Sequence, residues 1–317
     1  MITIATVAIP GSLHSALHGI GEILYMANKL AGKKNFNYSI LSPGVEQVSC
    51  YTGTLITPEN TISNSSQDII IIPPILENMN ELIDDKNLIS WLKEQHKSGS
   101  IVATVCAGSF LLAETGILNG RYATTHWNLG EKFKERYPDV KLNIQRLLID
   151  GGNYICAGGV SAWMDLALYL VKRYLSIEDS LNCAKVMLMD PHREYQSPYG
   201  LGGFPKSHND RAILNVQAWL EVNYPESPNL ALMAEKANLS QRSLLRRFKK
   251  ATGCSPIQYL RQVRVDAAQM MLEQTDDSVE SISEYVGYTD YSTFRKLFKQ
   301  TIGMTPSTYR QKFGLRI

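Results

Sequence analysis

The chain has 317 residues, 32 Lys+Arg against 30 Asp+Glu, and is 44% hydrophobic and 20% charged, which describes a soluble globular protein long enough for two domains of ordinary size. No run approaches the about 18 apolar residues needed to cross a bilayer. Five cysteines, scattered at 50, 106, 156, 183 and 254 with no C-x-x-C pair, argue against a disulfide framework and a zinc site and for reduced thiols in a cytoplasm.

The N-terminus, MITIATVAIPGS, has no basic segment before its apolar stretch, so it reads as a first strand and not a signal peptide. Residues 13–31 follow as an amphipathic helix. Residues 37–43 and 68–74 read as strands, the second a continuous apolar run typical of a strand buried on both faces. A helix over 85–98, a strand over 100–105, a strand over 153–159 and helices over 161–175 and 177–189 complete an alternating pattern. That alternation predicts an α/β domain with a parallel sheet sandwiched by helices. On the first helix His14 and His18 have metal-ligand spacing, but no third ligand accompanies them, and neither a metal nor a cofactor is expected.

Cys106, in TVCAGSF (104–110), falls at a strand-to-helix corner, the geometry of a nucleophile elbow above the carboxyl edge of a sheet. A helix N-terminus behind it predicts a lowered thiol pKa. Ala107 and Gly108 leave room for a ligand, and Glu22 and His126 are the titratable residues expected beside it. Cys106, Ala107, Glu22 and His126 are read as the lining of a ligand pocket. A packing role and a reactive role for the thiol are the alternatives. Trp127, Trp163 and the methionine-rich KVMLMD (185–190) read as core or dimer contacts.

The Gly-, Pro- and Ser-rich stretch around 196–209 reads as a linker between domains at 1–195 and 210–317. The third segment holds 15 Lys+Arg against 11 Asp+Glu, whereas the rest holds 17 against 19, so the basic surplus is C-terminal. It also repeats itself: Phe248 and Phe298, Gly253 and Gly303, Pro256 and Pro306, and Tyr259 and Tyr309 are all fifty residues apart, while Glu235 and Glu284 are forty-nine apart. Each copy predicts a small-residue helix, a tight turn, a capped second helix with basic residues outward, and G-x-x-P-x-x-Y. Ser240 and Thr289 are the expected caps, and Leu244, Leu245, Phe248, Phe294, Leu297 and Phe298 the expected inward residues. A long helix over 256–274 ties the copies together. Two helix-turn-helix units so joined suit successive major-groove faces about 34 Å apart.

Residues 210–317, most specifically GYTDYSTFRKLFKQTIGMTPSTYR, resemble the AraC-family DNA-binding domain. The resemblance implies promoter binding, with Ser240, Gln241, Arg242, Leu245 and Arg246, then Asp290, Tyr291, Ser292, Thr293, Arg295 and Lys296, facing bases. Lys249, Lys250 and Lys299 are expected at phosphates. Residues 1–195 resemble the ThiJ/PfpI, class I glutamine amidotransferase-like fold, through VCAGSFLLAETGILNGRYATTHW (105–127) and GEILYMAN (21–28). This implies a flavodoxin-like parallel sheet. Hydrolytic members place a histidine after the cysteine and a glycine pair after an earlier strand; here Ala107 and Pro73-Pro74 stand there, and proline has no N–H to offer an oxyanion.

The expectation is therefore a cytoplasmic transcriptional regulator that is not an enzyme and senses a small nitrogenous metabolite. Its expected partners are promoter DNA, that effector and a second copy of the chain, with RNA polymerase left open and no membrane. A cysteine-dependent amidase or deglycase, and a Cys106 redox sensor, are the alternatives.

Overall fold

Four consecutive isoleucines, Ile69–Ile72, form a strand buried at every position, as coverage on both faces requires. The computed structural model describes residues 1–44, 47–62, 66–200 and 208–315, and the chain divides into two units, Met1–Gln196 and Ser197–Ile317. In chain order the first unit runs β1 (Ile2–Val7), α1 (His14–Leu30), β2 (Phe36–Ser42), β3 (Val48–Ser49), β4 (Leu55–Ile56), β5 (Asn60–Thr61), β6 (Ile69–Ile72), α2 (Met79–Asp84) and α3 (Lys86–Lys97). It continues through β7 (Ile101–Val105), α4 (Ser109–Glu114), β8 (Tyr122–Ala123), α5 (Gly130–Arg136), β9 (Lys141–Leu142), β10 (Leu148–Asp150), β11 (Tyr154–Ala157), α6 (Ala162–Tyr174) and α7 (Ile177–Val186).

Seven strands form one sheet in the order β10-β11-β7-β6-β1-β2-β5, parallel throughout except for the β10–β11 pair at one edge. In register, Ile4 of β1 faces Tyr38 of β2, and Ile71 of β6 faces Ala103 of β7. Helices cover both faces, as the sequence pattern predicts. Ile20, Leu24, Leu166 and Ala167 of α1 and α6 pack on Ile4, Ile69 and Ile71. Leu88, Leu92, Phe110 and Leu111 of α3 and α4 pack on Ile70, Ile72 and Val102 from the other side. Gly19 is what lets α1 and α6 meet: a Cβ there would lie 2.5 Å from the Trp163 ring. The pairs β3–β4 and β8–β9, two residues per strand, were not anticipated, because two residues carry no readable period. Among the described residues no helix is long and apolar enough to cross a membrane.

The second unit is helical: α8 (Arg211–Asn223), α9 (Leu230–Lys236), α10 (Gln241–Thr252), α11 (Pro256–Gln274), α12 (Val279–Tyr285), α13 (Tyr291–Ile302) and α14 (Pro306–Phe313). Residues 201–207 of the stretch read as a linker lie outside the described residues. Its preceding part does not hang free, since Pro198 is buried, Tyr199 packs edge-on to Phe313 and the Ser197 hydroxyl donates to the Ile302 carbonyl.

The fifty-residue repeat becomes two four-helix units, α8–α11 and α11–α14, sharing α11. In each, glycine ends the second helix of the helix-turn-helix (α10 or α13) in the left-handed region, Gly253 at φ 77° and Gly303 at φ 91°, and a capped Pro-led helix follows. The single-residue offset lies in the turn, where Asn238 at φ 52° and Gly287 at φ 92° adopt the same left-handed backbone forty-nine residues apart. The repeat also reaches further upstream than the sequence pattern indicated. The Tyr259 hydroxyl donates to Glu221 of α8 at 2.7 Å, and the Tyr309 hydroxyl to Glu273 of α11 at 2.5 Å. The Gln-x-x-x-Glu segments 217–221 and 269–273 are therefore equivalent.

Hydrogen bonds to charged groups contribute about 1.5–3 kcal/mol. Tyr259→Phe and Tyr309→Phe should each destabilise the helical unit by about that much in urea unfolding and leave the sheet unit's transition in place. Equal midpoints for wild type and both variants would show that these bonds hold nothing.

Candidate nucleic-acid interface and the Cys106 corner

Helix α10 has one buried stripe, Leu244 and Phe248, and α13 has its counterpart in Phe294, Phe298 and Ile302. The opposite faces are exposed: Gln241, Arg242, Arg246, Lys249 and Lys250 on α10, and Ser292, Thr293, Arg295, Lys296 and Lys299 on α13, with Tyr291 half-buried at its start. Neither helix contains an acidic residue. Leu245 was expected to point inward and instead is 40% exposed, because it lies about 100° around the helix from Leu244. It thus shares the outward face with Arg242 and Arg246.

Capping differs from the sequence reading at one position. Asp290, not Thr289, caps α13: its carboxylate accepts from the Ser292 and Thr293 amides at 3.2 and 2.8 Å and from the Thr293 hydroxyl. A carboxylate reaches two amides and a hydroxyl together, and these bonds hold its pKa below the usual carboxylate range. Ser240 does the same for α10, accepting from the Ser243 amide at 3.3 Å. Both side chains are thus engaged at the helix ends. Arg247, in the same basic run, is also committed within the fold: its guanidinium grips Asp210, the cap of α8, at 2.9 and 2.6 Å.

The two helix-turn-helix units are tied to each other through Arg264 of α11. Its side chain is buried, donating to the Tyr224 carbonyl at 2.9 Å and the Ser227 hydroxyl at 3.1 Å, and it lies 5.0 Å from the Tyr288 ring centre. Gly287 is required there, since a Cβ would come within 2.6 Å of the guanidinium. Sequence reasoning missed Arg264, which looks like any other cation of a basic segment.

In the first unit, Cys106 follows β7 with φ 56°, a left-handed conformation that costs a non-glycine residue about 1–2 kcal/mol. The expected strand-to-helix corner is present. Cys106 is 2% exposed and Ala107 5%. A Cβ on Gly108 would meet the Ile72 side chain at 2.9 Å and the Pro73 carbonyl at 3.0 Å. Where an oxyanion needs donors, β6 thus presents a proline carbonyl. The crevice at the switch point of the sheet is stitched shut as well: the Leu13 amide donates to the Pro74 carbonyl and the Leu76 amide to the Gly11 carbonyl.

The expected lowering of the thiol pKa is not found. Burial pushes the Cys106 thiol up to about 12, and the Ala107 N–H beside it opposes this only weakly. The turn after Cys106 is a tight three-residue one, and α4 behind it is only six residues long, so little dipole faces the sulfur. His126 makes no hydrogen bond to the thiol. Its Nδ1 accepts from the Asn128 amide at 3.2 Å, and burial lowers its pKa, so the ring is held neutral. Glu22 lies on the exposed face of α1 with no bond to Cys106. The four residues expected to line one pocket are therefore two buried corner residues, a half-buried neighbour and an exposed helix residue.

A residue not singled out beforehand reaches the corner instead. Gln196, the last of the first unit, is buried; its amide nitrogen donates to the Thr125 carbonyl at 2.7 Å and its oxygen accepts from the Trp127 amide at 3.0 Å. Thr125 in turn donates to the Cys106 carbonyl at 3.0 Å.

The DJ-1/PfpI family matches residues 21–173 and a helix-turn-helix domain matches residues 233–312. The chain is 28% identical over 295 residues to the HTH-type transcriptional regulator GbdR of Pseudomonas aeruginosa, covering 92% of this chain and 79% of that one. It is 24% identical over 294 residues to the HTH-type transcriptional regulator GlxA of Rhizobium meliloti, covering 92% and 90%. Among solved structures, Drosophila melanogaster DJ-1beta shares the fold of the first unit, with a TM-score of 0.51, 19% identity, and coverage of 60% of this chain and 98% of that one. The chain thus carries a DJ-1/PfpI domain followed by an AraC-type helix-turn-helix domain, the make-up of a DNA-binding transcriptional regulator.

Proposed function

We propose that the protein reads a specific promoter sequence through α10 and α13 and that its first unit senses a small nitrogenous metabolite, as a cytoplasmic homodimer without enzymatic activity. The observation that carries the reading is the pair of capped helices whose buried stripes fix them in the fold and whose outward faces carry seven cations and no anion. Arg242, Arg246 and Arg295, with Gln241, Leu245, Tyr291, Ser292, Thr293 and Lys296, stand where base edges are read; Lys249, Lys250 and Lys299 stand further along, where phosphates lie. Ser240 and Asp290 serve that surface by holding the helix starts.

Against catalysis stand the buried thiol, the neutral His126 engaged by the Asn128 amide and not by the sulfur, and the proline carbonyl at the corner. A ligand changes DNA binding only through different affinities for two arrangements of the protein, so the sensing unit needs a site other than a reactive sulfur.

Footprinting upstream DNA at stated salt tests the reading. Arg246→Ala and Arg295→Ala should each cost about 1–3 kcal/mol of promoter affinity and relax base preference. Lys299→Ala should weaken all sequences alike and reduce the salt slope by about 1. Unchanged affinity in both arginine variants would remove these helices from the interface. Native Cys106 should resist iodoacetamide at pH 8, where a pKa of about 12 leaves about one thiol in ten thousand ionised. It should react normally in urea, and the native rate should climb only as the pH rises toward 12. Rapid native alkylation at pH 8 would restore the catalytic or redox alternative.

A further inference from the structure

The last residues of the first unit form a strap. Extended backbone at 194–196 lies along 145–147: the Leu147 amide donates to the Glu194 carbonyl, the Gln196 amide to the Gln145 carbonyl, and Arg146 and Tyr195 form a bridge. The strap is fastened inside by the Gln196 carboxamide and outside by the Arg146 guanidinium, 4.8 Å from the Tyr195 ring centre. Between the strap, β10 and the helices α6 and α7 lies a cleft of about 250 Å³, and none of Glu22, Cys106, Ala107 or His126 lines it.

Two ion pairs border this cleft, and both are long. Arg146 and Glu194 stand 3.4 Å apart with side chains 46% and 68% exposed, and Arg193 and Asp165 stand 3.4 Å apart with both nearly buried. Well-made pairs of this type close to about 2.7–2.9 Å. The exposed pair contributes about 0–1 kcal/mol, so little is lost when its members turn to a ligand. Lys172 adds a cation to the same wall, and Leu148 and Leu168 supply an apolar floor. Cations and anions balance around the cleft, which suits neither a multiply charged anion nor a bare cation. The volume equals about eight waters at about 30 Å³ each, the size of a small amino acid.

We infer that this cleft binds the zwitterion of a small apolar α-amino acid, its carboxylate between Arg146 and Lys172, its ammonium on Glu194 and its side chain against Leu148 and Leu168. The inference rests on the reading that the first unit senses a small molecule, and it locates that sensing on the segment leading out of the unit. An occupant joins Arg146 and Glu194 through itself and so changes how the strap is held.

Calorimetric titration of the full chain with L-alanine, L-leucine and L-methionine tests it, with 4-methylpentanoate and 3-methylbutylamine as analogues lacking one charge. At least one amino acid should bind, and both analogues should bind about ten-fold more weakly, the loss of about 1.4 kcal/mol. Arg146→Ala should weaken binding about ten-fold while also lowering the melting temperature through the loosened strap, and Glu194→Gln should weaken it about ten-fold at an unchanged melting temperature. Lys172→Ala, at an exposed helix position that the strap does not use, should do the same if Arg146→Ala disturbs folding. No heat from any of the three amino acids at about 10 mM, equal binding of an analogue, or full affinity in all folded variants would overturn the inference. DNA footprinting separates the two readings: DNA occupancy that answers to a different small molecule would leave sensing intact and remove this cleft, whereas absence of sequence-preferring DNA binding would remove the regulator reading itself.

Discussion

The helices α10 and α13 are each held by the same contact, a tyrosine hydroxyl donated to a carboxylate of an earlier helix: Tyr259 to Glu221 and Tyr309 to Glu273. The tyrosine sits on the Pro-led helix that follows the reading helix, and its ring packs edge-on to Phe248 or Phe298 at the back of it. One side chain thereby joins three helices. Burial raises the pKa of both phenols, so they stay protonated donors across the physiological range. With the rear of α10 and α13 fixed this way, their outward faces are free of structural duty apart from the two caps and Arg247.

The sheet unit solves a different problem. A doubly wound sheet offers a crevice where strand order reverses, and a left-handed residue after a central strand is the usual way to aim a side chain into it. Here Cys106 is left-handed, main chain at 11–13 is hydrogen-bonded to main chain at 74–76, and Pro73 lies close against Gly108. A buried thiol with a raised pKa is a poor nucleophile, because the thiolate is the reacting species. The carbonyl of the corner residue anchors Thr125, which in turn meets the strap through Gln196.

Long periodic segments were legible: Ile69–Ile72, α1, α3 and α11 lie where alternation and helical spacing put them. So were the reading-helix faces, because the repeat fixed their register twice over. Leu245 shows the limit of that reasoning, since an apolar residue next to an inward leucine looks inward until the 100° step is followed. Glu22 shows another: it is near Cys106 in a family pattern, yet its helix turns it outward. Gln196 was invisible for a physical reason. It lies in a Gly-, Pro- and Ser-rich stretch, and its burial depends on backbone at 124–127, 145–146 and 158 that only the fold assembles.

Arg264 joins the two helix-turn-helix units from within α11. The helix α11 spans both helix-turn-helix units, and the buried guanidinium bonds the 224–227 turn of one and stacks on the Tyr288 ring beside the turn of the other. Among the described residues no carboxylate pairs with it, so its charge is balanced by a carbonyl, a hydroxyl and a ring face. Leaving that arrangement exposes or strands a buried cation, a costly change. The two helix-turn-helix units are therefore joined by a contact that is costly to break, and α11 carries it within the helical unit.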